Sequence, residues 1–261
     1  MDLGLADRVV VVAGASKGIG YACAAAFAAE GAKLAMISRS QANLDAALSR
    51  LTSAAHKPLA IAADMSDAVA TRKAIDGVVA KLGPVDVLVS SAGAAKRYPP
   101  AELDATSWRA AMDAKFFSTI HPVDAVVKRM AQRGRGAIVT IIGTGGKVAS
   151  PVHLPGGAAN AALMLATTGL AAAYASSGVR INGINPGITR TSRVEEGLAA
   201  ESRMTGTDVD TLRKSAEARI PIGRMGTPEE IARVVLFLAS EHASYVTGAI
   251  LPMDGAAHPV L

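Results

Sequence analysis

The stretch Ala13-Gly14-Ala15-Ser16-Lys17-Gly18-Ile19-Gly20 follows an apolar β-branched run and opens an Ala-rich segment of helical period reaching about Ala29. That spacing suits a turn in which the backbone approaches a pyrophosphate closely, while the free N–H groups and dipole of a helix N-terminus stabilise its charge. A glycine cluster alone also fits an ordinary strand-to-helix turn, and its place after the first apolar run favours the phosphate-binding reading. At the end of the second apolar run stands Ser38-Arg39-Ser40, with no acidic residue before Asp45. A carboxylate there would pair with the 2′-hydroxyl of NAD, whereas a guanidinium suits a 2′-phosphate, and Lys17 adds positive charge in the first turn. The expected cofactor is NADP(H), with Ser38 and Arg39 on its adenosine side.

Three further residues could carry proton chemistry. Lys115, in Met112-Asp113-Ala114-Lys115-Phe116-Phe117, would have a lowered pKa if drawn into an apolar pocket near a positive ring, and could then act as acid, base or ribose anchor. An ordinary lysine turned toward solvent is the competing reading. His153 titrates in the useful range, and Thr144 could hydrogen-bond a carbonyl. Lys147 flanks the same stretch; it and His153 are also compatible with plain loop roles.

Apolar runs at 9–12, 34–37, 59–62, 85–89, 137–142, 180–184 and 249–251 alternate with Ala/Leu-rich helical segments, as strands buried on both faces by covering helices require. The expected fold is α/β: a single-domain, doubly wound (Rossmann-type) parallel sheet of about seven strands with helices on both faces, over 1–261. The polar stretch 191–219 is long for a connection and is expected to form a helical lid. One cysteine, Cys23, excludes an internal disulfide framework and a cysteine-based zinc site, and no metal is expected. The charge of +5 is scattered and aromatics are only 3 %, which argues against nucleic acid as a partner. The uncharged run 148–179 is interrupted by Pro151, Pro155, Gly156 and Gly157, so a buried or subunit-facing helix from about Asn160 to Tyr174 is expected rather than a membrane span. Its apolar face points to a homo-oligomer. The start MDLGLADRVV lacks the features of a signal peptide, and a cytoplasmic location is expected.

Taken together, these segments resemble the short-chain dehydrogenase/reductase family over nearly the whole chain. Gly14, Gly18 and Gly20 match its glycine turn, with Ala13 in place of threonine; Ser90-Ser91-Ala92-Gly93 is similar to its Asn-Asn-Ala-Gly segment, with both asparagines replaced. The segment 180–187, ending in Pro186-Gly187, with Thr191 four residues on, resembles the stretch that holds the nicotinamide carboxamide, and the ending from Pro221 to Gly255 is similar throughout. The resemblance implies a cofactor set of Gly14, Ser16, Lys17, Gly18, Ile19, Gly20, Ser38, Arg39, Asp64, Met65, Ser91, Ala92, Gly93, Pro186, Gly187, Ile188 and Thr191, with Asp64 at the adenine, and a tetramer.

The same resemblance implies a tyrosine as proton donor, a lysine four residues later, a serine on the carbonyl and an upstream asparagine. Here the tyrosine position falls on Gly156, the lysine on Asn160, the serine on Gly143 and the asparagine on Lys115. Glycine cannot donate a proton, nor asparagine supply positive charge, so Lys115, Thr144 and His153 become the catalytic candidates. Three readings follow: an NADP(H)-dependent oxidoreductase with a degenerate site acting on a small carbonyl or alcohol, a non-catalytic NADP(H)-binding sensor or partner protein, and a non-redox dehydratase or isomerase.

Overall fold

The computed structural model describes residues 2–93 and 95–259. Seven parallel strands, β1 (Val9–Ala13), β2 (Lys33–Ser38), β3 (Leu59–Ala62), β4 (Val87–Ser90), β5 (Gly136–Ile141), β6 (Val179–Pro186) and β7 (Ile250–Met253), form one sheet in the order β3-β2-β1-β4-β5-β6-β7. Each run expected from the sequence became a strand, with ends displaced by at most two residues.

The reason is visible in β1, whose five residues are all buried. Val10 and Val12 face a core built with Phe27, Leu34, Met36 and Val235, under α1 (Gly18–Ala29) and α9 (Pro228–Ala239). Val9 and Val11 face the opposite core with Ile75, Val126, Met130 and Ile138. There α3 (Ala68–Leu82) and α5 (Ser118–Gln132) cover the sheet. Successive strand side chains point to opposite faces, so a continuous apolar run satisfies both layers. The small α2 (Gln41–Leu48) and α4 (Ala105–Ala111) complete the helices before β5.

The chain runs outward from β1 to β3 and then returns to place β4 on the other side of β1. This reversal opens a crevice at the carboxyl ends of β1 and β4, the usual ligand position in such sheets. Ala13 is in register with both Ile37 and Ser90, so Gly14 and Ser91 leave the sheet side by side.

Two expectations on helices need correction or refinement. The helix expected from about Asn160 begins earlier, as α6 (Leu154–Tyr174), because Pro155 sits in its first turn, where the missing N–H has no partner to lose. Gly156 and Asn160 are therefore on the helix. Although α6 is long and apolar, Leu163, Thr167 and Ala171 are buried on its inner side, and Thr167 meets Thr140 of β5 hydroxyl to hydroxyl at 3.1 Å. The stretch 191–219 forms two helices, α7 (Ser192–Thr205) and α8 (Val209–Ala218), with Gly206 in the left-handed conformation that ends α7. They share a small apolar cluster of Leu198, Ile220 and Met225.

Candidate active site

The glycine turn is shaped by close backbone approach. A Cβ on Gly14 (φ 81°) would stand 2.6 Å from the Ser91 carbonyl oxygen, and one on Gly20 would collide with the Gly14 carbonyl. The start of α1 has Lys17 at its cap position without a side-chain cap bond, and no acidic residue in its first turn. Its leading N–H groups therefore remain available to an anion. Thr191 leans over this turn, its Cγ2 3.2 Å from where a Cβ on Gly18 would be, and its side chain makes no cap bond to α7.

Lys17 and Arg39 are exposed at the crevice rim. Asp64 is held by the Ser66 N–H and hydroxyl, at 2.9 and 2.7 Å. Partial burial pushes its carboxyl up, but these bonds and the Arg39 guanidinium outweigh that and leave its pKa below the ordinary value. Met65 is buried and its carbonyl accepts from Thr71, which fixes the loop after β3. A glycine cradle, uncapped helix N-terminus, basic rim and no acid at the end of β2 fit a dinucleotide with a phosphorylated ribose.

Beside that crevice, three elements bring polar groups together. The first is a π-helical turn, Met112–Phe117, between α4 and α5. Gly93 (φ 107°) packs so tightly on it that a Cβ would collide with the Ala114 carbonyl, and the Ser118 hydroxyl donates to that same carbonyl at 2.8 Å. The turn directs Lys115 inward, where its ammonium donates to the Ile142 carbonyl at 2.8 Å. A solvent-turned Lys115 is thereby excluded. Desolvation, followed by the nearby charge of Arg193, lowers its pKa to about 8.

The second element is the start of α6. His153 precedes the helix and folds back, its imidazole lying on Gly156: a Cβ there would collide with the ring's Cε1 and meet the Ala95 Cβ at 2.9 Å. Burial, then Arg97 and Lys115, hold His153 below its ordinary pKa. Asn160, one turn on and 4 % exposed, places its Nδ2 3.3 Å from where a Cβ on Gly143 would stand. The third element is the end of β5, where Gly143 (φ 131°) donates its N–H to Asn185 Oδ1 at 3.3 Å and Thr144 opens a 3-10 turn, Thr144–Gly146.

Two atoms stand out electrostatically. His153 Nδ1 and Asn160 Oδ1 are both buried without a hydrogen-bond partner, a condition that costs roughly 1–3 kcal/mol each unless a ligand satisfies them. Lys115, His153, Asn160, Gly143 and Gly156 thus meet in one place, with Thr144 at its edge, while Lys147 is exposed at the end of the Thr144–Gly146 turn. Sequence reasoning did not single out Asn185, Arg97 or Arg193. Asn185 carried a signal in its place before Pro186, and Arg193 in its place two residues after Thr191.

A doubly wound sheet with a phosphate-binding turn at its switch point defines a dinucleotide-binding fold. The chain belongs to the short-chain dehydrogenase/reductase family: residues 14–258 match the family described as enoyl-(acyl carrier protein) reductase. It is 36 % identical to cis-4-hydroxycyclohexanecarboxylate dehydrogenase of Sinomonas cyclohexanicum, over 98 % of each chain. Among solved structures it resembles L-sorbose reductase from Gluconobacter frateurii complexed with NADPH and L-sorbose, with a TM-score of 0.95, 28 % identity and full coverage of both chains. It also resembles an NADPH-bound short-chain oxidoreductase from Pseudomonas aeruginosa, described as containing an atypical catalytic center, with a TM-score of 0.88, 30 % identity and 98 % of each chain covered.

Proposed function

We propose that this chain is an NADP(H)-dependent oxidoreductase that interconverts an alcohol and a carbonyl on a small organic substrate, using non-standard catalytic residues. The observation that carries this reading is the imidazole of His153 resting on Gly156, where the resembled family projects its tyrosine. The position without a proton donor is thus covered by another group that titrates.

The bound nicotinamide would supply or accept a hydride. In the oxidation direction, neutral His153 accepts the substrate hydroxyl proton; in reduction, its protonated form returns a proton to the carbonyl oxygen. Its depressed pKa keeps it in the base form at neutral pH. Lys115, with its pKa lowered to about 8, is still mainly charged at pH 7 and stabilises negative charge developing on the substrate oxygen. Relative to the resembled pattern, positions 115 and 160 have exchanged residue types, lysine for asparagine and asparagine for lysine. The ammonium then enters the cavity from the π-helical turn instead of from α6. Thr144 offers the substrate carbonyl a hydrogen bond, and Asn160 Oδ1 awaits a donor such as a ribose hydroxyl.

Gly14, Ser16, Lys17, Gly18, Ile19 and Gly20 hold the pyrophosphate side, Ser38 and Arg39 the 2′-phosphate, Asp64 and Met65 the adenine, and Ser91, Ala92 and Gly93 the ribose side. Pro186, Gly187, Ile188 and Thr191 line the carboxamide. The two-helix stretch 191–219 acts as a lid within the single domain. The outer side of α6, where Leu165 is 76 % exposed among alanines and glycines, is buried in a homotetramer.

The test is calorimetric titration with NADPH and NADH, followed by nicotinamide absorbance against a panel of secondary alcohols and ketones. Tighter binding of NADPH with turnover supports the reading. Binding without any turnover, and no change in turnover in His153→Ala, would move the chain to the non-catalytic nucleotide-binding class. A monomeric mass by light scattering at micromolar concentration would remove the tetramer.

A further inference from the structure

Lys115 lies inside this site, and two exposed cations, Arg97 and Arg193, stand on segments that border it. Arg97 lies in the loop after β4, which is tied to the residue before His153 by a hydrogen bond from the Tyr98 N–H to the Val152 carbonyl at 3.1 Å. Arg193 stands in the first turn of α7, beside the threonine that leans over the glycine turn. Lys115 crosses the cavity to the Ile142 carbonyl. The charge of Arg193 is felt at the Lys115 ammonium, and those of Arg97 and Lys115 at the His153 ring.

Two neighbouring acids are engaged elsewhere. Glu195 pairs with Arg213 at 2.8 Å, and Glu217 pairs with Arg190 at 3.2 Å. Among the described residues, neither Arg97, Lys115 nor Arg193 forms an ion pair. Like charges collected around a partly desolvated cavity repel one another, and an incoming anion turns that repulsion into attraction. Guanidinium groups also present paired N–H donors that match a carboxylate. His153 Nδ1, buried without a partner, lies deeper, so the anionic end of a ligand belongs at the mouth and its reacting oxygen inside.

We propose that the substrate of this site is a small hydroxy or oxo acid, its carboxylate held by Arg97 and Arg193 while its reacting oxygen faces His153 and Lys115. This rests on the oxidoreductase reading only for the reaction, since the charge arrangement is present without nucleotide.

The experiment measures binding of 4-oxopentanoate and 3-oxocyclohexanecarboxylate, each beside its methyl ester, by calorimetry with and without NADPH. Native protein is compared with Arg97→Gln and Arg193→Gln, both at exposed positions. Each acid is expected to bind at least about tenfold more tightly than its ester. Each substitution should weaken the acid by roughly tenfold, with ester and NADPH affinities unchanged, and should raise KM with little effect on kcat. Equal affinity for acid and ester overturns the proposal, as does failure of both acids to bind. It is also overturned if the variants lose NADPH affinity alone, which would assign these cations to a nucleotide phosphate. Acid discrimination without nucleotide binding would leave this proposal standing and defeat the oxidoreductase reading; nucleotide binding and turnover without acid discrimination would do the reverse.

Discussion

The two ends of the sheet treat their polar groups in opposite ways. At the amino ends of the strands, Asp86 accepts from the Val9 N–H at 3.1 Å and lies 3.5 Å from both Arg133 and Arg135. Nearby, the Arg180 guanidinium donates to the carbonyls of Leu238, Ala239 and Ser240 at 2.7, 3.3 and 2.9 Å, closing the end of α9. A cavity of about 580 Å³ lies among these residues. At the carboxyl ends, by contrast, His153 Nδ1 and Asn160 Oδ1 have no partner, and Lys115 is desolvated without a counter-charge. Saturated polar groups stabilise the fold, whereas unsatisfied ones carry a cost that a ligand can remove. That cavity is the weaker candidate for chemistry because, apart from Arg133 Nε, which is buried without a partner, the polar groups named there already answer one another.

That contrast can be broken from either end. The largest effect is expected from His153→Ala, which should lower kcat by roughly 10²- to 10⁴-fold while leaving the NADPH affinity unchanged by calorimetry. A variant that keeps native turnover would take the imidazole out of the chemistry. Arg39→Asp should weaken NADPH by roughly one to three powers of ten through lost charge-assisted bonds and new repulsion, with little effect on NADH.

Lys115→Met should act through the pH profile. The proposed mechanism uses neutral His153 and charged Lys115 for alcohol oxidation, so on that proposal native activity should rise as pH climbs through the lowered imidazole pKa and decline above about 8 as the ammonium deprotonates. The variant should lose the alkaline decline together with roughly tenfold in kcat, since one preorganised charge is gone. An alkaline limb that survives the substitution would belong to another group. The smallest effect on turnover is expected at the opposite end, from Asp86→Ala. Denaturant unfolding should show a loss of about 1–3 kcal/mol for the unsatisfied Val9 N–H and the unpaired arginines, while kcat and KM stay native.

Most of the scaffold was legible because its signals are local. An apolar run such as Val9–Ala13 can be buried on both faces only in a covered sheet, and glycines at 14, 18 and 20 have few uses besides close backbone approach. The start of α6 was misplaced because prolines and glycines read as interruption, although Pro155 is well suited to a first helical turn. The residues Lys115, Thr144 and His153 were singled out as types able to do chemistry, but their geometry was not readable. Nothing in Met112-Asp113-Ala114-Lys115-Phe116-Phe117 announces a π-helical turn, against which Gly93 packs from a distant part of the sequence. Arg97 and Arg193 escaped notice for a related reason. An unpaired cation is defined by what its neighbours do, and the pairing of Glu195 with Arg213 exists only in three dimensions.

The imidazole lying on Gly156 also constrains how this arrangement can change by mutation. The nearest atoms to a Cβ at that position belong to the outer end of the His153 side chain, which can swing aside. A single methyl group at 156 would thus act as a wedge, displacing the ring from its seat and also pressing on the Ala95 Cβ at 2.9 Å. The two positions are sterically coupled: the ring of His153 keeps its present seat only beside a residue without a Cβ at 156. A lineage moving toward this site from one with a bulky residue at 156 would have to clear that space first, and one leaving it would lose the ring's position with its first step.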